Sequence, residues 1–132
     1  MDRTYDLVLL LTLASSAFCG SGASVVGTAP DVQGWRGEDI LLKCDIQEEP
    51  IIVYWSKETG SDQQARTVKA RFVEGNFESV EERFDIDKNF SLVISDLEVA
   101  DEGRYYCDVT LANLQDFGNS TLLTVYLQTG SV

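Results

Sequence analysis

Reactive side chains are few in this chain, and their types narrow the chemistry open to it. Histidine is absent, so Ser-His-Asp and Cys-His arrangements, which need an imidazole base, are excluded. Carboxylates are plentiful, with adjacent pairs at Glu48-Glu49 and Glu81-Glu82. Two carboxylates can share acid and base roles only across a cleft, and these pairs fall in expected loops, where solvated charge is the ordinary state. No glycine-rich phosphate loop stands between a strand and a helix. The reading is of a non-enzyme with no cofactor.

The cysteines carry the one covalent chemistry that the pattern supports. There are three, Cys19, Cys44 and Cys107. Cys19 closes the apolar run LVLLLTLASSAFC, which begins at Leu7 after Met1 and Arg3. That run suits the apolar region of a secretory signal and is short for a membrane span. A signal peptide is therefore predicted over residues 1–23, with cleavage after Cys19 or Ala23, and an uncleaved anchor as the alternative. Its removal leaves Cys44 and Cys107, which in an oxidising compartment form a disulfide. Closing a loop of about 64 residues in this way contributes roughly 4 kcal/mol. Two cysteines without histidine cannot fill the four positions of a structural zinc site, so no metal is expected.

Two further motifs fit export. Asn89-Phe90-Ser91 and Asn119-Ser120-Thr121 are both legal N-glycan acceptors. Asn89 is the better placed, near an expected turn. Asn119 lies against the start of a predicted strand, where a glycan crowds the neighbouring loop. The formal charge of −12 disfavours nucleic acid and anionic lipid as partners, since both need a basic footprint.

The elements that position these residues are short strands. Alternation puts Ile40, Leu42, Cys44 and Ile46 on one face, Ile51 and Val53 with Trp55, and Phe84 with Ile86. It likewise pairs Leu92 with Ile94, Leu123 with Val125, and Tyr105 and Val109 with Cys107. Period-two patterns of this length mark half-buried antiparallel strands. Gly34, Gly37, Gly60, Gly75, Gly103 and Gly118 lie mostly between the runs, where turns are needed. No helical stripe and no internal repeat is present. The segment EGNFESVEERF, ending at Phe84, resists assignment.

Cys44, Trp55 and Cys107 stand in the order and rough spacing of the immunoglobulin fold. Asp101, Gly103, Tyr105 and Cys107 resemble that family's D-x-G-x-Y-x-C signature. WSK resembles the strand bearing the core tryptophan, and RF…SLVIS resembles strands D and E of variable-type domains. FGNSTLLTVY, from Phe117 to Tyr126, resembles the joining-segment strand F-G-x-G-T-x-L-T-V of antigen-receptor variable domains. Ser120 stands where that family has its second glycine, which bears on the bulge that a positive φ allows there. The stretch between Trp55 and Leu92 has room for strands C′, C″ and D. The resemblance implies an all-β, two-sheet antiparallel Greek-key sandwich of immunoglobulin V type over residues 24–127, with one inter-sheet disulfide and a short tail or stalk start at 128–132.

The same resemblance assigns roles. Tyr105 is the expected tyrosine corner, its hydroxyl bonding to backbone upstream. Gly103 relieves the turn, and Asp101 pairs with Arg83 to close one end of the sandwich. Strand parity names an outer face on strands C, F and G: Ile52, Tyr54, Tyr106, Asp108, Leu122 and Thr124. Its Ile, Tyr and Leu are expected to form an apolar patch of the kind that marks protein interfaces. The B–C loop at Gln47–Pro50 and the F–G loop from Leu111 to Asp116 are short, which favours a flat contact over a deep pocket. The expected function is an extracellular recognition module, an immune-type receptor ectodomain or secreted relative, binding a protein ligand or another immunoglobulin domain. The alternative is a cell-adhesion or self-associating domain. The chain carries no membrane span after the last strand, so either secretion or a following stalk and anchor on the extracellular face of the plasma membrane is expected.

Overall fold

A computed structural model describes residues 26–28, 31–60 and 65–127. The predicted signal segment 1–23, with Cys19, and the tail 128–132 lie outside the described residues. The strands are β1 (Val26–Thr28), β2 (Asp31–Trp35), β3 (Ile40–Leu42), β4 (Cys44–Ile46), β5 (Pro50–Glu58), β6 (Arg66–Val73), β7 (Asn76–Ser79), β8 (Phe84–Ile86), β9 (Leu92–Ile94), β10 (Gly103–Leu111) and β11 (Asp116–Tyr126). A single 3₁₀ turn, Val99–Asp101, is the only helical piece among the described residues. No helix there is long and apolar enough to cross a membrane.

The strands form two layers. One is a six-stranded sheet in the order β2-β11-β10-β5-β6-β7. The other comprises β3-β9-β8 and the β1-β4 pair, joined because β3 and β4 are one run interrupted at Lys43. Among the described residues, the strand pairings are antiparallel except that of β11 with β2. Strands C′, C″ and D expected between Trp55 and Leu92 are β6, β7 and β8. The unassigned EGNFESVEERF stretch contains β7, which folds onto β6 through Glu74-Gly75. Both residues have positive φ, 46° and 90°, as a two-residue hairpin with a twist-matched turn requires.

The alternating residues meet between the layers. Leu42, Val53, Trp55, Leu92, Ile94, Tyr105, Val109 and Leu123 are all buried. Cys44 and Cys107 form the disulfide across them, with Cα atoms 6.3 Å apart. Trp55 lies directly opposite Cys107 in the β5–β10 register. Its indole N–H donates to the Phe90 carbonyl at 2.9 Å, so its one polar atom is satisfied inside the core.

Side-chain hydrogen bonds close the turn before β10. The Tyr105 hydroxyl donates to the Asp101 carbonyl at 2.6 Å. Asp101 accepts two bonds from the Arg83 guanidinium, at 2.9 and 3.0 Å. It also accepts the Glu98 backbone N–H at 2.8 Å, capping the 3₁₀ turn. Gly103, at φ 149°, occupies backbone space that a side chain rarely takes.

Two glycines differ from the sequence expectation that glycines mark turns. Gly34 lies within β2 and Gly118 within β11. A Cβ on Gly34 would sit 2.8 Å from both Ile40 Cδ1 and Leu97 Cδ2, and one on Gly118 2.8 Å from Asp108 Oδ1. Gly34 permits close approach of the opposite layer, and Gly118 permits close approach of its neighbour within the sheet. With Ser120 in place of glycine, β11 runs against β10 without a register shift from Gly103↔Leu123 to Thr110↔Asp116.

Candidate functional site

Residues that stand directly opposite one another in a sheet share a face. The registers therefore place the predicted outer residues. Tyr54 lies opposite both Asp108 and Arg71, Ile52 opposite Thr110, and Leu122 opposite Arg104. Thr124 lies opposite Gln33 of β2. Ile52, Tyr54, Tyr106, Asp108, Leu122 and Thr124 thus share the outer face of the six-stranded sheet, all partly or fully exposed.

The patch is not simply apolar. Arg66, which the parity reading did not place there, lies over the Tyr106 ring at 3.6 Å to its centroid and bonds the Asp108 carboxylate at 3.2 Å. Tyr106 donates its hydroxyl to Glu58 at 2.7 Å. Alongside, Arg104 donates to Ser120 Oγ at 3.1 Å, and Arg71 pairs with Glu78 at 2.7 Å. Each of these pairs is at least partly exposed, so it adds little stability. They bring aromatic and guanidinium groups together on the outer face of the sheet.

The electrostatics follow from these contacts. Burial pushes the Asp108 carboxyl above its ordinary value, with Arg66 opposing that shift. The bond to Glu58 raises the Tyr106 phenol, and partial burial adds to it. Tyr106 therefore stays a neutral donor at any physiological pH.

Arg66 reaches the face through a bulge. The β5–β6 register runs Ile52↔Val73 to Trp55↔Ala70, then slips by one residue so that Ser56 faces Val68 and Glu58 faces Arg66. Lys69 is the extra residue, and it turns toward Glu81 at 2.9 Å and the Phe84 ring. Strict alternation from Arg71 would have sent Arg66 to the core side. An odd residue count in a β6 pairing is the signal, and it is visible only once the partner strand is known.

The loops at one end form a second surface. Leu111 pairs with Pro50, and the Glu74 N–H bonds the Ile51 carbonyl at 2.9 Å. These contacts gather residues 47–49, Glu74-Gly75 and residues 112–115. Leu114 at the tip is 72% exposed and has φ 67°, an apolar side chain held outward by a left-handed residue.

Asn89 is exposed at the β8–β9 turn, whereas Asn119 sits inside β11 opposite Cys107 and is half-buried. Among the described residues, no group of three or more acidic or cysteine side chains is arranged to hold a metal ion.

Comparison with known proteins gives one consistent likeness. The immunoglobulin V-set domain profile matches residues 27–126. The chain is 26% identical over 109 residues to human (Homo sapiens) T cell receptor alpha variable 38-1, covering 77% of this chain and 93% of that protein. Among solved structures, murine CRIg superposes with a TM-score of 0.62 at 16% identity, over 79% of this chain and 97% of CRIg. The two tandem V-type regions of VCBP3, a v-region-containing chitin binding protein, superpose with a TM-score of 0.65 at 24% identity, over 76% of this chain and 44% of that one.

Proposed function

The chain belongs to the immunoglobulin V-set family, and on that premise we propose that it is an extracellular recognition module, an immune-type receptor ectodomain or a secreted relative, that binds a protein ligand. V-set domains mediate protein–protein binding and are typically extracellular. The contact surface is the outer face of β5, β10 and β11, extended by the loop end bearing Leu114. The observation that carries this reading is the Arg66–Tyr106–Asp108 unit beside half-exposed Tyr54. Aromatic and arginine side chains are the types that dominate binding energy at interfaces. Here they are held in place before any partner arrives, which lowers the ordering cost of association.

Self-association through the same face is the competing reading. A net charge of −12 opposes it, because two copies repel. The test is a tetramerised chain applied to a panel of cells, with Tyr54→Ser, Arg66→Glu and Leu114→Ser compared against Lys43→Glu on the opposite layer. Staining lost with the first three and kept with the last is the expected result. Staining that ignores all the face and loop substitutions refutes the proposed surface. A dimer in concentration-dependent sedimentation would replace it with self-association.

A further inference from the structure

The geometry points to Asn89 as an N-glycosylated residue whose first sugars rest in a hollow on the β3-β4/β9/β8 layer, while Asn119 stays unmodified. This rests on the extracellular reading, since the modification occurs in the secretory pathway. The chemistry needs a lipid-pyrophosphate-linked oligosaccharide as donor. The Asn89 side-chain nitrogen attacks its anomeric carbon, a C–N bond forms, the C–O bond to pyrophosphate breaks, and the amide gives up one proton.

The two acceptor motifs sit in opposite settings. Asn89 is exposed at the tip of the turn between β8 and β9. Its place is fixed by backbone bonds: the Asn89 and Ser91 N–H groups both donate to Asp87 Oδ1 at 2.9 Å, and the Phe90 N–H donates to the Asp87 carbonyl at 2.8 Å. The side chain is thus free to carry a large group without disturbing the turn. Asn119 is paired with Cys107, whose side chain enters the core, so Asn119 leaves the sheet on its inner side. It stands between half-buried Phe117 and buried Thr121 on that side, and a glycan there has to force a path past the edge of the sandwich.

A seat for the sugars exists beside Asn89. The β3–β9 ladder stops at Leu42↔Leu92. Beyond it β4 turns to β1 and the Asp87–Ser91 turn bends away, leaving an open hollow of about 650 Å³. Such a volume lies in the range of small-molecule sites, about 300–1,000 Å³. Its walls combine Leu41 and Phe90 with Lys43, Asp45, Asp87 and Lys88. This mixture of apolar and charged, hydrogen-bonding side chains suits a sugar, which presents C–H faces and hydroxyl edges. A glycan lying here shields one layer and leaves the opposite six-stranded face open.

The test uses the full chain exported from a eukaryotic host. Enzymatic glycan release in heavy-oxygen water labels each formerly occupied asparagine, and mass spectrometry locates the label. Label at Asn89 alone is the expected result, with the glycan mobility shift abolished in Asn89→Gln and retained in Asn119→Gln. Label at Asn119, alone or together with Asn89, overturns the assignment, as does an unlabelled Asn89. If the unlabelled protein still carries its disulfide, it passed through an oxidising compartment, so the extracellular reading survives that failure. The seat is read separately by acylation of Lys43, which lines the same hollow. Lys43 should react faster in Asn89→Gln than in glycosylated protein, relative to Lys57. Equal rates overturn the seat.

Discussion

The corner ion pair makes an asymmetric prediction. Asp101 is 5% exposed, and the Arg83 side chain is 26% exposed. Replacing Arg83 with Gln strands a buried carboxylate that still accepts the Glu98 N–H. Breaking a buried pair costs about 3–5 kcal/mol, and the retained N–H places Arg83→Gln near about 3 kcal/mol. Asp101→Asn keeps an oxygen for the Glu98 N–H. It leaves Arg83 with the Ser95 and Asp96 carbonyls and with partial access to water. Its cost is about 1–2 kcal/mol. For a domain of this size about 1 kcal/mol moves the midpoint by roughly 4–8 °C, so thermal unfolding followed by circular dichroism separates the two variants. The pH dependence carries a second sign. Burial acts to raise the Asp101 carboxyl, but the Arg83 hydrogen bonds, the Glu98 N–H and nearby positive charge outweigh it and hold the group below its ordinary value. A carboxyl depressed in the folded state contributes stability above its unfolded pKa and loses it as pH falls through the folded value. The gap between wild type and Asp101→Asn should therefore be full at neutral pH and narrow below the ordinary carboxylate range. Equal melting of both variants and wild type, or a gap that widens in acid, refutes the reasoning.

Two further outcomes test the core. Replacing both Cys44 and Cys107 with Ala should lower stability by about 4 kcal/mol through the released loop, read as a drop in the urea midpoint with tryptophan fluorescence as the signal. Gly34→Ala should cost about 1–3 kcal/mol, because its Cβ would press on Ile40 and Leu97; a melting temperature equal to wild type would show that β2 yields at no cost.

The sandwich was legible because its signals are local. Alternation in EDILLKCDI, RYYCDVT and TLLTVY assigned Leu42, Cys44, Tyr105, Cys107, Val109, Leu123 and Val125 to the inside, and all are buried. The disulfide was expected because two cysteines remain once Cys19 is set aside, and the Tyr105 corner was implied by the family resemblance; the structure contains the Cys44–Cys107 bond and a Tyr105–Asp101 hydrogen bond. The outer face was only half legible. Parity named Tyr54, Tyr106 and Asp108, yet the arginine that fixes two of them comes from β6, whose register slips at Lys69. A one-residue bulge reverses the parity of residues on one side of it relative to the other, here between Arg71 and Arg66, and no pattern within β6 reports it. Likewise Gly34 and Gly118 read as turn residues until the side chains packed against them, Ile40 and Leu97 from the other layer and Asp108 across the sheet, are known. The chain alone thus settles which side chains seek the interior, because burial is a property of each residue and its period. Pairing between strands distant in sequence settles how the exposed ones meet, because that depends on registers set by the whole sandwich.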